Sequence, residues 1–362
     1  MRNFLENSRN AVLYDIHNMQ TNSSNNTLYE VIHVRLFLIL ALVFYHAFAI
    51  FSGAWEPIDG YPNVQVYNIM DELSYACLLE TFVFISGYIL GYQVRKKGEE
   101  YIQTRGFIIK KIKRLLVPSI LFSVLYILLF GKGDRSALST LYEVCSGAGH
   151  MWFLPMLFWC FLLVYIFKRL KVSNGILLII TPLLICLSAI PLPFRLGSAM
   201  YYFPFFWGGY CVKKYNLNWS YKVRTLFPII AACFVLAFIL KLNLDAFYIV
   251  GGGNVVKIIN VMMSLFCRFV CAVLGIYLLM IAALKFANAR QLLKSSAFIT
   301  LSDCCFGVYI FQQFVLVFIE RTELPSNISP YIYPWMCFLI ALITSLVLTI
   351  LVRKTKIGLK IL

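Results

Sequence analysis

Apolar runs of about 20 residues, each closed by charge, proline or glycine, recur along the whole chain, and that is the length a helix needs to cross the ~30 Å hydrocarbon core of a bilayer. No other feature limits the fold as strongly. With 61% hydrophobic and only 13% charged residues and a mean hydropathy of +0.79, a water-soluble globule could not hide its apolar surface. The expected fold is all-α: a polytopic membrane helical bundle.

The runs predict ten spans, at 31–51, 74–94, 115–131, 150–167, 175–190, 199–212, 226–242, 259–284, 298–319 and 334–352. This divides the chain into a polar cytosolic tail (1–30, containing TNSSNN), a membrane domain (31–352) and a basic tail (353–362), with no internal repeat and no second soluble domain. The tail lacks a short apolar stretch followed by small residues, so no cleavable signal is expected.

A net charge of +16 would suit nucleic acid, but the cations cluster at the ends of the apolar runs and argue for topology instead. Placing both termini in the cytosol puts 24 Lys and Arg on one side and six on the other, with Arg35 and Arg268 left inside spans. That bias follows the positive-inside rule and predicts an integral plasma-membrane protein with cytosolic termini. The eleven cysteines include no CxxC pair, and all but Cys145 fall in or beside apolar runs. They read as packing residues, and neither a disulfide framework nor a metal is expected.

The remaining signal is polar residues placed where lipid should exclude them. In VRLFLILALVFYHAFAIF, Arg35 and His46 are eleven residues apart, almost three turns, so they share one helix face ~16 Å apart along the axis. Each has a plain reading, Arg35 as a snorkelling anchor and His46 as an interhelical hydrogen bonder. Intramembrane ionisable groups nonetheless mark functional sites by default. Glu80, in ETFVFISGYILGY, falls where an antiparallel second span brings it towards His46, and a carboxylate beside an imidazole suits a general base. Ser86-Gly87 offers a hydroxyl or a packing notch.

Lys110, Lys111, Lys113 and Arg114 precede LLVP at the cytosolic side, as topology signal and lipid anchor or as a phosphate-binding cluster. Trp152, in GHMWFLP, suits an interfacial anchor. Arg268 lies about nine residues inside its apolar run, without an easy snorkelling route, and calls for a buried partner or a pore. No P-loop, HExxH or GxSxG is present, which removes the commonest nucleotide, zinc-protease and serine-hydrolase chemistries.

In order and spacing these elements resemble the acyltransferase-3 family of integral membrane acyltransferases, from about residue 30 to 352. The matching segments are Arg35 with His46, Glu80 ahead of Phe82–Gly87, the basic run ending at Pro118, Trp152-Phe153-Leu154, and Phe203–Tyr210. Many members carry a His after their late G-x-Y motif. Here Gly307-Val308-Tyr309 leads to Gln312, which can hydrogen-bond but not titrate. The resemblance implies an acyl-CoA donor, most often acetyl-CoA, with no metal, and O-acetylation of a bacterial cell-surface glycan or lipid-linked saccharide. It also implies roles. Arg35, Lys110, Lys111 and Arg114 would hold CoA phosphates, His46 would be the general base and Glu80 would orient it. Ser86, Trp152, Arg268 and Tyr309 would meet substrate or developing charge. A transporter or flippase of lipid-linked saccharides is the rival reading, and it leaves the Arg35–His46 spacing unexplained.

Overall fold

The computed structural model describes residues 28–131, 136–217, 223–249, 253–289, 296–356 and 358–362. The lead-in with TNSSNN, the cations Lys132, Arg135, Lys222, Arg290 and Lys294, and the first two glycines of GGGN lie outside the described residues. Within them, all regular structure is helical. The elements used below are α1 (Tyr29–Ser52), α2 (Gln65–Tyr75), α3 (Leu78–Lys97), α4 (Arg105–Lys111), α5 (Val117–Phe130), α6 (Phe153–Arg169), α7 (Asn174–Leu187), α8 (Leu196–Lys214), α9 (Val223–Leu242), α10 (Asn254–Ala289), α11 (Ser296–Glu320) and α12 (Tyr333–Arg353).

Each expected span overlaps one of these helices, but among the described residues only seven helices are long and apolar enough to cross a membrane. The three others differ for physical reasons. At 14 residues, α7 rises only ~21 Å, and the apolar stretch described for α9, Leu226–Leu242, falls just under the length of the seven. α8 has the length, but FPFFWGGY is aromatic and glycine-rich where a lipid-facing helix is aliphatic. Its packing explains that composition. Added Cβ atoms on Gly87 or Gly209 would collide with the carbonyl oxygens of Phe206 and Phe84, so α3 and α8 meet backbone to backbone, the contact small residues permit between membrane helices. Two of the segments that carry the family resemblance are therefore one interface.

The helix of Arg35 and His46 lies at the centre, with α1 packing on α2, α3, α10, α11 and α12. At its Arg35 end, Glu30 accepts from Tyr88 Oη (2.9 Å) and Lys213 Nζ (3.1 Å), which ties α1, α3 and α8 together. Nearby, Glu99 pairs with Lys214 and, at 3.8 Å, with Lys168. Cys145, expected in a loop, belongs to a short helix, Ala137–Ser146. Beyond Arg353 the chain turns back, and Ile361 and Leu362 pack on the core.

Candidate active site

α1 stops at Gly53, whose φ of 76° is the left-handed conformation that ends helices cheaply in glycine. The chain then folds back, with the Trp55 N–H donating to Ala49 O at 3.2 Å. This sets the Trp55 ring against His46, near-parallel with centroids 5.8 Å apart. His46 is thus half-buried under an indole at the end of α1 away from Arg35.

The side chain that fixes the imidazole comes from α11. His46 Nδ1 lies 3.1 Å from Gln312 Oε1, and Gln312 is fully buried. One turn earlier on α11, the Tyr309 hydroxyl donates to the His150 carbonyl at 2.6 Å, while His150 Nε2 meets Ile310 O at 2.9 Å.

A cavity of ≈ 380 Å³ runs inside the bundle from the basic end towards this pair. Arg35, Lys111, Arg114 and Arg353 line it, with Asp303 the acidic side chain on the wall. Leu42 on α1 and Tyr309 on α11 also line it. They stand one helical turn before His46 and Gln312 respectively, on the same faces. Ser86 is on the wall too, its hydroxyl donating to Phe82 O at 2.9 Å. Between α4 and α5 the helix loosens into a π turn, Ile112–Leu116, closed by the Val117 N–H on Ile112 O. Pro118, lacking an N–H, cannot complete the ordinary bond to Arg114 O. The extra residue in the turn re-aims the basic run, a device common at functional sites. Lys111 ends over the Phe161 ring, its Nζ 3.8 Å from the centroid. Among the described residues no carboxylate forms an ion pair with Arg35, Lys111 or Arg114.

A second polar cluster holds its cation differently. Arg268 on α10 donates through Nε to Glu80 Oε1 at 3.0 Å and through Nη2 to Tyr202 Oη at 2.6 Å. Glu80 is 2% exposed and Arg268 36%, so a buried carboxylate is held by a cation that reaches the edge of the packed interior. The Tyr202 ring neighbours Trp152 at 6.3 Å, and Arg195 lies 5.8 Å from the Trp152 ring.

The expected site residues therefore separate into groups. Arg35, Lys111, Arg114, Ser86 and Tyr309 share the cavity wall, whereas Lys110 is exposed and lies off that wall. Glu80, Arg268 and Trp152 belong to the second cluster. The expectation that Glu80 orients His46 does not match the geometry: Glu80 faces α10 and bonds Arg268, and the hydrogen bond to His46 comes from Gln312. Tyr309 contributes a ring to the wall, but its hydroxyl proton is committed to a backbone carbonyl. Sequence reasoning passed over Trp55, Tyr202 and Arg353, and it set Asp303 aside because a carboxylate near the cytosolic end of its apolar run needs little explanation.

Seven apolar helices, six of which line a cavity of mixed apolar and cationic walls, describe an integral membrane protein with a site inside its bundle. Residues 28–354 match the acyltransferase-3 family, an acyltransferase domain. The chain belongs to that family and is a membrane acyltransferase. Comparison with curated proteins and with solved structures finds no significant match.

Proposed function

We propose that this protein transfers an acyl group, acetyl in the first instance, from acyl-CoA to a hydroxyl of a cell-surface glycan or lipid-linked saccharide. One observation carries the reading: a cavity lined by four cations against one carboxylate leads along α1 and α11 to within a turn of His46. Four cations held round a single carboxylate favour an anionic ligand, and the CoA phosphates supply it. Arg35, Lys111, Arg114 and Arg353 would grip them, the guanidinium groups by bidentate contacts. The ≈ 380 Å³ interior would take the pantetheine arm, leaving the nucleotide at the mouth. The ~16 Å rise from Arg35 to His46 would then carry the thioester to the imidazole. His46 would remove the proton of the attacking hydroxyl, and the Trp55 ring would shield the reacting atoms from water. With the basic end in the cytosol, as the charge bias favours, the donor enters where acyl-CoA is made and the acceptor approaches from the opposite side.

The test is thiol release from acetyl-CoA by the purified protein in nanodiscs, with the host's extracted lipid-linked saccharides as acceptor. Acceptor-dependent CoA release, abolished in His46→Ala, is the expected result. Saccharide crossing the bilayer without consumption of acetyl-CoA would replace this reading with a transporter.

A further inference from the structure

Around His46 the hydrogen-bond donors are nearly all committed. The Tyr309 hydroxyl donates to His150 O. His150 Nε2 lies against Ile310 O, which makes that nitrogen the protonated one and leaves Nδ1 a lone pair. In the neighbouring cluster, Arg268 places Nε and Nη2 on Glu80 and Tyr202. The Tyr201 hydroxyl beside Arg268 is buried without a partner, and against His46 itself the uncommitted donor is on Gln312. Its Oε1 faces His46 Nδ1 at 3.1 Å, yet its Nε2, with two N–H donors, is buried without a hydrogen-bond partner. Leaving a buried amide unmatched costs about 1–3 kcal/mol, so its placement against the His46 imidazole near the cavity's far end needs a reason that the folded chain does not supply.

We propose that Gln312 is a catalytic residue with two tasks, its Oε1 holding the His46 tautomer and its Nε2 donating to the thioester carbonyl oxygen as negative charge develops there. This inference rests on the acyl-transfer reading and deepens it. With Nδ1–H donated to Gln312, the lone pair of His46 is on Nε2. That nitrogen takes the proton of the acceptor hydroxyl while the hydroxyl oxygen bonds to the carbonyl carbon. The carbonyl π pair moves to oxygen, and the oxyanion accepts a hydrogen bond from the Gln312 N–H. The pair then returns, the C–S bond breaks, and the CoA thiolate leaves with the proton from the imidazolium. An ester and CoA–SH result, with no other reactant. Because a neutral amide accepts from the imidazole here in place of a carboxylate, the base works without a fixed anion beside it.

Wild type, Gln312→Met and Gln312→Glu are compared in nanodiscs with acetyl-CoA and extracted lipid-linked saccharides, following thiol release across pH and acetyl-CoA binding separately. Gln312→Met keeps the shape and removes both groups. It should bind acetyl-CoA as wild type does and lose about 100- to 1,000-fold in kcat, the usual effect of deleting one such donor. Gln312→Glu keeps the acceptor and, once ionised, has no proton to donate. Its acid limb should move to higher pH, because the carboxylate stabilises the imidazolium, and its alkaline plateau should stay at least about 10-fold below wild type. Wild-type kcat in Gln312→Met overturns both tasks, and a wild-type plateau in Gln312→Glu overturns the donor task. Loss of acetyl-CoA binding in both variants also overturns the proposal, since it would place Gln312 in the fold or donor cavity and not in the chemical step. His46→Ala, assayed alongside, separates the two readings. If it retains transfer, the acyl-transfer mechanism through His46 fails. If it is inactive while the Gln312 variants are not, only this inference fails.

Discussion

Arg268 and Arg35 are both arginines within apolar helices, and the fold treats them in opposite ways. Arg268 is neutralised by Glu80 and capped by Tyr202. Arg35 shares a cavity wall with Lys111, Arg114 and Arg353 and pairs with no carboxylate among the described residues. A buried pair is self-sufficient: each charge offsets the other's desolvation and neither needs a ligand. A cluster of like charges is not, and its repulsion is relieved only when an anion arrives. The first region holds the bundle together at depth, and the second is prepared for something the chain lacks.

Substitutions should separate the two. The largest effect belongs to the paired region: Arg268→Met leaves the buried Glu80 carboxyl without its partner, which should cost about 3–5 kcal/mol of stability, read as a fall in Tm in detergent. Adding Glu80→Gln should recover most of that loss, and failure to recover would show that the two side chains act separately. Next comes the contact that seats α3, and hence Glu80 and Ser86. Gly87→Val would drive its side chain into the Phe206 carbonyl, and either α3 and α8 separate or the protein fails to accumulate; normal expression and Tm would contradict the close approach. The cavity cations should behave in reverse, with Lys111→Met and Arg114→Met weakening acetyl-CoA binding several-fold while Tm holds or rises as repulsion falls. That affinity should also drop with added salt.

The smallest effect is at the surface. The Lys214 ammonium holds the Glu99 carboxyl below the usual carboxylate range. Its folded-state pKa is depressed, so its contribution is present above the usual value near 4.3 and is lost as pH falls through the folded pKa. Glu99 is half exposed, and Glu99→Gln should change stability by no more than about 1 kcal/mol at neutral pH. A larger loss would mean that this pair organises the basic end.

Much of the architecture was legible because helix periodicity and length are local properties. The faces of α1 and the run of apolar segments followed from spacing, and the grouping of Arg35 with Lys111 and Arg114 was what the family resemblance implied. What stayed hidden was azimuth, the direction each helix turns its polar residues. Glu80 is 188 positions from Arg268 and Gln312 is 266 from His46, and no periodicity within one helix says which neighbour a residue will face. Antiparallel adjacency brought α3 beside α1, which suggested Glu80 for His46, yet Glu80 projects towards α10. Gln312 was conspicuous only as a departure from the His that the family resemblance leads one to expect, and its contact with His46 turns that departure into a statement about how the imidazole is held. Of the ten expected spans, seven coincide with helices that have both the length and the hydropathy to cross a membrane among the described residues, while α7, α8 and the apolar part of α9 resemble spans in composition and differ in hydropathy or length.

The central claim is that the cavity cations, in excess over the one carboxylate beside them, hold the donor. It is tested most directly by equilibrium binding of acetyl-CoA to the purified protein, wild type against Arg35→Met, with Tm measured on the same samples. Binding weakened about tenfold or more, as expected for losing a buried charge-assisted contact, at an unchanged Tm is the predicted result. Unchanged affinity at unchanged Tm would contradict the account.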